Sequence, residues 1–402
     1  MSNSLHPTIP AIDETVFSAL EAVSKLPKIQ KGLKIAQEQA AQAMEEQVQL
    51  CEIASPTFEE QTRAQEILKR MKDYGLTNVS IDEIGNVVGI RKGIAQGPTL
   101  VIEAHMDTVF PKEVDVKVKR DGNTYRAPGI GDNTSGCRAL LQVIRCFNEA
   151  DIQTQGDILF VGTVGEEGNG DIRGAKHLVN GQRQIDGYIA IDSFPESVIV
   201  NGGVGCHRWR VSIDGAGGHS FVNFGQVPSA IHAMCHAGHL IDHITAPKEP
   251  FTTFNIGTIK GGTSVNTISP HCEVDIDIRS ISHEELLKLE AQIFEALDAG
   301  VKEENERWNI QDPDKMLRLT KVQIGDRPAG ARDGSCPVIQ CALNAQKLLG
   351  IELTQYGPSA TNANAPISKN IPAACLGSGG LSEKYHTLDE YFIDKDSYKG
   401  PQ

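Results

Sequence analysis

The stretch TLVIEAHMD, residues 99–107, decides the fold class. Thr99 to Glu103 form a β-branched, apolar run that reads as a buried strand. His105 and Asp107 then fall at or just past its carboxyl end, the edge at which open α/β sheets bind ligands. The pattern recurs. Asp157 to Val164 reads as a strand that runs into Glu166-Glu167, and Tyr188 to Ile191 as one that ends in Asp192. The glycine turn Gly131 to Gly136 precedes an apolar helix, Cys137 to Phe147. Strands alternating with helices, with polar residues at the strand ends, predict an α/β domain with a mostly parallel sheet and helices on both faces.

Toward the N-terminus, Val79–Ile81 and Val87–Ile90 read as short strands. Before them Thr57 and Glu60 have capping-box spacing for a helix that Gly75 should stop. Residues 15–50 are rich in Ala, Gln, Glu, Lys and Leu and predict one or two helices. Toward the C-terminus the texture changes near residue 203. Strands are expected over 207–214, 251–260, 272–280 and 316–324, with helices over 227–244 and 283–299. That βαββαβ order predicts a small antiparallel α+β domain inserted in the larger one. The α/β pattern resumes with a helix from Pro337 to Leu349 and a strand near Ala373 to Leu376. The expected domains are a helical extension over 1–45, a catalytic domain over 46–202 and 326–402, and an insert over 203–325.

Composition narrows the function classes. Among 402 residues, Lys and Arg total 38 and Asp and Glu total 52, a net charge of −14. A nucleic-acid groove or an anionic membrane surface calls for clustered positive charge, so neither is an expected partner. No apolar run reaches the roughly 18–20 residues of a membrane span. Met1 to Glu14 lacks a basic patch followed by an apolar stretch, so no signal peptide is expected. Nine scattered cysteines without a CxxC pair point to reduced thiols and a cytoplasmic protein.

Five segments carry side chains that can hold metal: EAHMD (103–107), GIGDN (129–133), GEEG (165–168), IDS (191–193) and YHT (385–387). Singly, each reads as a surface pair, a turn or a solvated loop. Together, two histidines and several carboxylates make a mixed nitrogen and oxygen set suited to zinc, cobalt or manganese. Two ions roughly 3.5–4 Å apart need a bridging carboxylate, and Asp132 in its glycine turn can approach both. The Glu-Glu pair then divides: one carboxylate ligates, and its neighbour takes a proton from water. His232, His236, His239 and His243 form a stripe at helical spacing, read as a solvated or interface face.

The ordered set resembles the M20 family of dinuclear metallopeptidases: His105-x-Asp107, GIGDNTSG (129–136), Glu166-Glu167-Gly168, Asp192, then His386. The likeness extends over residues 48–392 and includes GGHS (217–220), GGTSVN (261–266) and DIR (277–279) of the insert. It is strongest to peptidase T-like members, through SATNAN (359–364) and HTLDE (386–390), although related sequences usually carry Asp where Asn362 stands.

The resemblance implies a zinc-peptidase-like catalytic domain with a mixed, mostly parallel sheet, and an insert serving as dimerisation and lid domain. It implies His105, Asp132 and Asp192 on one metal, and Asp132, Glu167 and His386 on the other. Asp107 would hold the His105 ring and Glu166 would be the general base. An irregular peptide bond would follow Asp132. His219 would polarise the scissile carbonyl in a partner subunit, and Asn266 and Arg279 would bind substrate. The expected activity is that of a dimetal exopeptidase on short peptides, with two divalent ions, zinc first and cobalt or manganese as alternatives. A homodimer through 203–325 is expected. The alternatives are an N-acyl amino acid amidohydrolase on the same fold and a non-catalytic binding protein on a degenerate one.

Overall fold

The structure, a computed structural model, describes residues 7–402, so the first six residues of the stretch read above for a signal peptide lie outside the described residues. The N-terminal run forms three helices rather than one or two: α1 (Glu14–Ser24), α2 (Pro27–Glu38) and α3 (Ala40–Cys51). Pro27, at the first position of α2, is favourable there but could not continue α1. The helices are anchored by apolar contacts. Ile35 and Ala36 pack with Cys146, Ala150 and Ile152, and Met44 and Cys51 with Tyr125, Ile130 and Phe392.

Helix α4 (Gln61–Asp73) starts later than the capping box requires. Phe58 turns the chain with φ 76°, and the Thr57 hydroxyl donates to Asp107 instead of accepting from a helix amide. Gly75, at φ 92°, does follow the end of the helix.

The large sheet is built from β1 (Asn78–Ile81), β2 (Val87–Arg91), β3 (Leu100–His105), β6 (Ile158–Thr163), β7 (Gly187–Asp192) and β8 (Val198–Gly203), with three strands from the chain's return. Between β3 and β6 lie β4 (Lys119–Asp121), β5 (Thr124–Arg126) and α5 (Thr134–Glu149), and α6 (Arg173–Asn180) separates β6 from β7. The returning chain adds β15 (Gly330–Ala331), α9 (Pro337–Leu348), β16 (Gln355–Ser359), α10 (Asn364–Ser368), β17 (Ala373–Gly377), β18 (Leu381–Glu383) and β19 (Tyr391–Ile393). Strand order is β1-β2-β6-β3-β7-β17-β8-β15, with β16 also pairing β8. The four central strands β6, β3, β7 and β17 are parallel.

Alternation along the strands selects the two buried faces. Ile102, Ala104, Ile158 and Phe160 pack with Ile67 and Met71 of α4 and Leu140, Leu141 and Ile144 of α5. Val101, Leu159, Val161, Tyr188 and Ala190 pack with Ala363, Ile367 and Cys375. The Val, Leu, Ile, Met and Phe side chains among these contribute about 1.5–3 kcal/mol each by leaving water.

The second compact unit spans Val204–Ala329, and the first is Met1–Gly203 with Gly330–Gln402. Its elements are β9 (Gly205–Asp214), β10 (Gly218–His219), α7 (Ala230–Asp242), β11 (Thr252–Gly261), β12 (Thr267–Ile268), β13 (His271–Ser280), α8 (His283–Arg307) and β14 (Arg318–Arg327). The antiparallel order is β11-β13-β9-β14. Val211, Ile213, Val274, Ile276 and Ile278 face Met234 and Ile241 of α7 and Leu286, Leu289 and Ile293 of α8. Leu240, near the end of α7, is exposed. Helix α8 runs eight residues beyond Ala299 because Gly300 does not stop it. A Cβ at Gly300 would lie 2.7 Å from the Ala233 carbonyl oxygen, so glycine there allows α7 and α8 to approach. At the end of this unit Gly330 on β15 pairs with Gly203 on β8, within the large sheet.

Candidate metal centre

The carboxyl ends of three adjacent parallel strands supply most of the centre. His105 is the last residue of β3, Asp192 the last of β7, and Glu166 and Glu167 follow β6. Asp132 comes from the turn before α5 and His386 from the loop between β18 and β19. His105 Nε2 lies 3.3 Å from Asp132 Oδ1 and 3.9 Å from Asp192 Oδ1. His386 Nε2 lies 3.3 Å from Asp132 Oδ2 and 3.1 Å from Glu167 Oε1. Asp132 therefore turns one oxygen toward each histidine. Glu166 joins His105 and Glu167 in a third group whose candidate ligand atoms lie within 4.8 Å of one another.

Asp107 organises this edge without facing the histidine Nε2 atoms. Its Oδ1 accepts the Glu166 amide at 2.9 Å, and its Oδ2 accepts the Glu167 amide and the Thr57 hydroxyl, both at 3.0 Å. His105 Nδ1 is 3.1 Å from the Asp107 carbonyl oxygen and 3.5 Å from its carboxylate. Both are acceptors, so Nδ1 carries the proton and Nε2 keeps a lone pair for a cation. The Asp132 turn is held separately. Glu390 Oε1 accepts the amides of Gly131 and Asp132, both at 2.9 Å, and Oε2 accepts that of Gly129 at 2.8 Å. Asn133 caps α5 through the Gly136 amide and donates to the Ile191 carbonyl on β7 at 2.8 Å. The Asp132–Asn133 peptide is cis.

Electrostatics states what the centre lacks on its own. Burial, then the charge of Asp132, pushes Asp192 up to about 6. Burial, with Glu166 and Asp132 adding to it, pushes Glu167 up to about 7. Burial also opposes charge on Asp132, yet hydrogen bonds to His105 and His386 hold it well below the carboxylate range. Hydrogen bonds to Asp132 and Glu167 raise His386 to about 10. Acids crowded in this way favour cations between them. The mixed imidazole and carboxylate set fits divalent ions, two of them with Asp132 between.

Beneath His105, Glu103 points into the apolar face shared by Val101, Val161 and Ala190. Thr163 Oγ1 donates to it at 2.7 Å and Asn362 Nδ2 at 3.1 Å. Burial pushes its carboxyl up to about 8 despite those bonds.

The remaining predicted residues lie in the second unit. His219 on β10 and Asn266 just before β12 are both exposed, and the Ser220 amide donates to the Asn266 carbonyl at 2.9 Å. His219 Nδ1 accepts the amides of Phe221 and Val222 at 3.2 and 3.4 Å, which leaves Nε2 as the protonated nitrogen. Arg279 forks onto Asp277, with Nε donating at 2.7 Å. The histidine stripe of α7 meets carboxylates of α8 that the sequence does not place beside it: His232 lies 3.7 Å from Glu304 and His236 3.2 Å from Glu303.

Sequence reasoning missed Glu60, Glu390 and the Glu103–Asn362 contact. Glu60 accepts the Gly165 amide at 3.0 Å and pairs with Arg173, which steadies the Glu166 loop. One signal was available: Glu103 is the single charged residue in the apolar run 100–104.

Comparison with known proteins agrees with this geometry. The M20 dimer model, described as a peptidase dimerisation domain, matches residues 201–305. That of peptidase family M28 matches 86–197, the stretch with His105, Asp132, Glu166, Glu167 and Asp192. Together these likenesses support an M20-type peptidase. They are consistent with a hydrolase acting on amide bonds. The uncharacterized protein YqjE of Bacillus subtilis is 28% identical to this chain over 86% of it and 92% of YqjE. An acetylornithine deacetylase of Buchnera aphidicola is 25% identical over 73% of this chain and 75% of that enzyme. In fold, a tripeptidase from Staphylococcus aureus superposes with a TM-score of 0.73 at 24% identity, covering 90% of this chain and 95% of that one.

Proposed function

We propose that the protein is a cytoplasmic dimetal exopeptidase that hydrolyses di- or tripeptides. The observation that carries this reading is Asp132, whose two oxygens face His105 and His386 at 3.3 Å each. His105, Asp132 and Asp192 would hold one ion, and Asp132, Glu167 and His386 the other. Zinc is the ion this donor set suits best, with cobalt or manganese as alternatives. Such ions supply Lewis acidity and lower the pKa of water toward neutrality.

The chain's own groups do the rest. Glu166 accepts the proton of the attacking water and returns it to the leaving amine nitrogen. Asp107 fixes the backbone from which Glu166 and Glu167 project and orients the His105 ring. In the second unit, His219 offers an Nε2–H suited to a carbonyl oxygen that gains charge. Arg279 would read a substrate carboxylate and Asn266 the adjacent backbone. The pairing of Arg279 with Asp277 orients the guanidinium and leaves it partly exposed. Nine free cysteines support a reducing compartment. Among the described residues no helix is long and apolar enough to cross a membrane.

The likeness to acetylornithine deacetylase supports a second reading, removal of an acyl group from an N-acyl amino acid. A panel of di- and tripeptides beside N-acetyl amino acids, assayed with zinc, cobalt and manganese, separates the two. Turnover of free peptides with negligible release from N-acyl substrates is expected. The opposite preference would replace the peptidase reading with the deacylase one.

A further inference from the structure

Three side chains from three parts of the chain meet directly beneath the metal-ligating edge. Glu103 on β3 is two residues before His105 and stands opposite Val161 on β6 and Ala190 on β7. Thr163 ends β6, stands opposite His105, and is three residues before Glu166. Asn362 arrives from outside both strands, two residues before α10. All three are at most 2% exposed.

The hydrogen bonds define how each group is used. Thr163 Oγ1 donates to Glu103 Oε2 at 2.7 Å. The Asn362 amide nitrogen donates to that same oxygen at 3.1 Å and to Thr163 Oγ1 at 2.9 Å. One NH2 group thus bridges β3 and β6 at the positions from which His105, Glu166 and Glu167 follow. Asn362 Oδ1 is buried without a hydrogen-bond partner. Turning the amide over would place that oxygen against a carboxylate and a hydroxyl oxygen, so the orientation is dictated by the acceptors it meets.

We propose that Glu103 and Asn362 are a matched acceptor–donor pair that positions the metal-ligating ends of β3 and β6, which makes Asn362 a positioning residue for the centre. The proposal rests on reading that centre as a dimetal site. The match explains why an amide occupies position 362. An aspartate there would offer only acceptors to Glu103 and to a hydroxyl whose hydrogen is already donated. Either the bridge opens or a proton must be held between two carboxylates. Exchanging the roles restores the pattern. With glutamine at position 103 and aspartate at position 362, the new amide donates to the new carboxylate and to Thr163 Oγ1. The Thr163 hydroxyl then donates to that carboxylate.

The test titrates chelator-stripped protein with Co2+ by calorimetry and records the visible spectrum of the bound cobalt. It compares wild type, N362D, E103Q and the double variant E103Q/N362D, and measures the melting temperature of each metal-free protein. N362D is expected to lose about 10-fold or more in Co2+ affinity, the scale typical of residues that support metal ligands. Its cobalt spectrum should change. E103Q should lose less, because its amide oxygen still accepts, and the double variant should recover most of the affinity and the wild-type spectrum.

Should N362D fail to fold, Thr163→Val removes the shared hydroxyl and is expected to lower Co2+ affinity in the same direction. Wild-type affinity and spectrum in N362D, or in T163V where N362D does not fold, would overturn the proposal. So would a double variant no better than N362D. A melting temperature lowered in N362D with Co2+ binding unchanged would assign the pair to stability alone and equally overturn it. A wild-type protein that binds no divalent ion would remove the dimetal reading, and this proposal with it.

Discussion

Glu166 and Glu167 are neighbours with different proposed roles, and the same substitution tests them. Glu166→Gln keeps the side chain's shape but cannot accept a proton. It is expected to lower kcat by about 10²–10⁴-fold while metal content stays at the wild-type level. Glu167→Gln should lower both, because a neutral amide is a weaker ligand than the carboxylate facing His386. Metal analysis beside kinetics on the two purified variants separates the roles, and activity of E166Q within a few-fold of wild type would remove Glu166 from its assignment. A subtler change tests the Asp132 turn. A Cβ at Gly131 would collide with Ser382 Oγ and come within 3.2 Å of Glu390 Oε1. Gly131→Ala should therefore displace Asp132 and reduce metal content. At this scale the candidate ligands were legible because chemistry restricts their types: five segments stood out by residue kind, and the resemblance they carry in that order implied His105, Asp132, Glu167, Asp192 and His386. Thr57, Glu60 and Glu390 were not, because their partners are backbone amides and side chains far away in the chain. Thr57 and Glu60 even carried a local capping signal that tertiary contacts override.

His207 at the start of β9 ties two other elements together. Its Nδ1 lies 2.6 Å from Glu290 on α8, which also accepts from Trp209 at 2.7 Å, and its Nε2 lies 3.3 Å from Asp326 on β14. Burial opposes its charge, but hydrogen bonds to Asp326 and Glu290 raise its pKa above the ordinary value. A histidine raised by folding stabilises fully below its unfolded pKa, near 6.5, and that contribution is lost as pH rises through the raised value. His207→Gln is expected to destabilise the protein by on the order of 1 kcal/mol at about pH 5.5 and by much less at about pH 9. Thermal unfolding of both proteins at the two pH values measures this, and a difference that grows toward alkaline pH would contradict it. Long, periodic elements such as β9, β13 and α8 were readable from alternation and helical spacing. The β4–β5 and β18–β19 pairs were not, since strands of three residues leave no period to read. Helix α6 escaped for another reason: it starts from Ile172 at φ 52°, without a side-chain cap.

At the scale of the whole molecule, the prediction concerns two copies. Strand β11 is an edge of its sheet, and its outer half, with Ile259, is exposed. An unpaired edge of this kind is commonly covered by a second copy. A homodimer through the second unit, with His219 acting in the partner's site, is therefore expected. Mixing inactive His219→Ala with inactive Glu166→Gln chains should then restore partial activity, because one of the two sites in the mixed dimer carries neither change. No recovery after confirmed subunit exchange would place His219 in its own chain's site or outside catalysis. The change of texture near residue 203 was readable because alternation gives way there to a βαββαβ order. The place where the two crossings lie side by side was not, since no local pattern announces that Gly203 and Gly330 pair.

That pairing has an engineering and an evolutionary meaning. Residues directly opposite in an antiparallel pair lie only about 4.5–5.5 Å apart, so everything between Gly203 and Gly330 occupies the place of a hairpin loop. A two-residue Asn-Gly turn could close the same gap. Replacing residues 204–329 by such a turn should leave a shortened chain that folds and still takes up divalent ions, but no longer turns over peptides. By the same geometry, a single splice at the tip of an ancestral β8–β15 hairpin would suffice to add the second unit without re-registering one strand of the first.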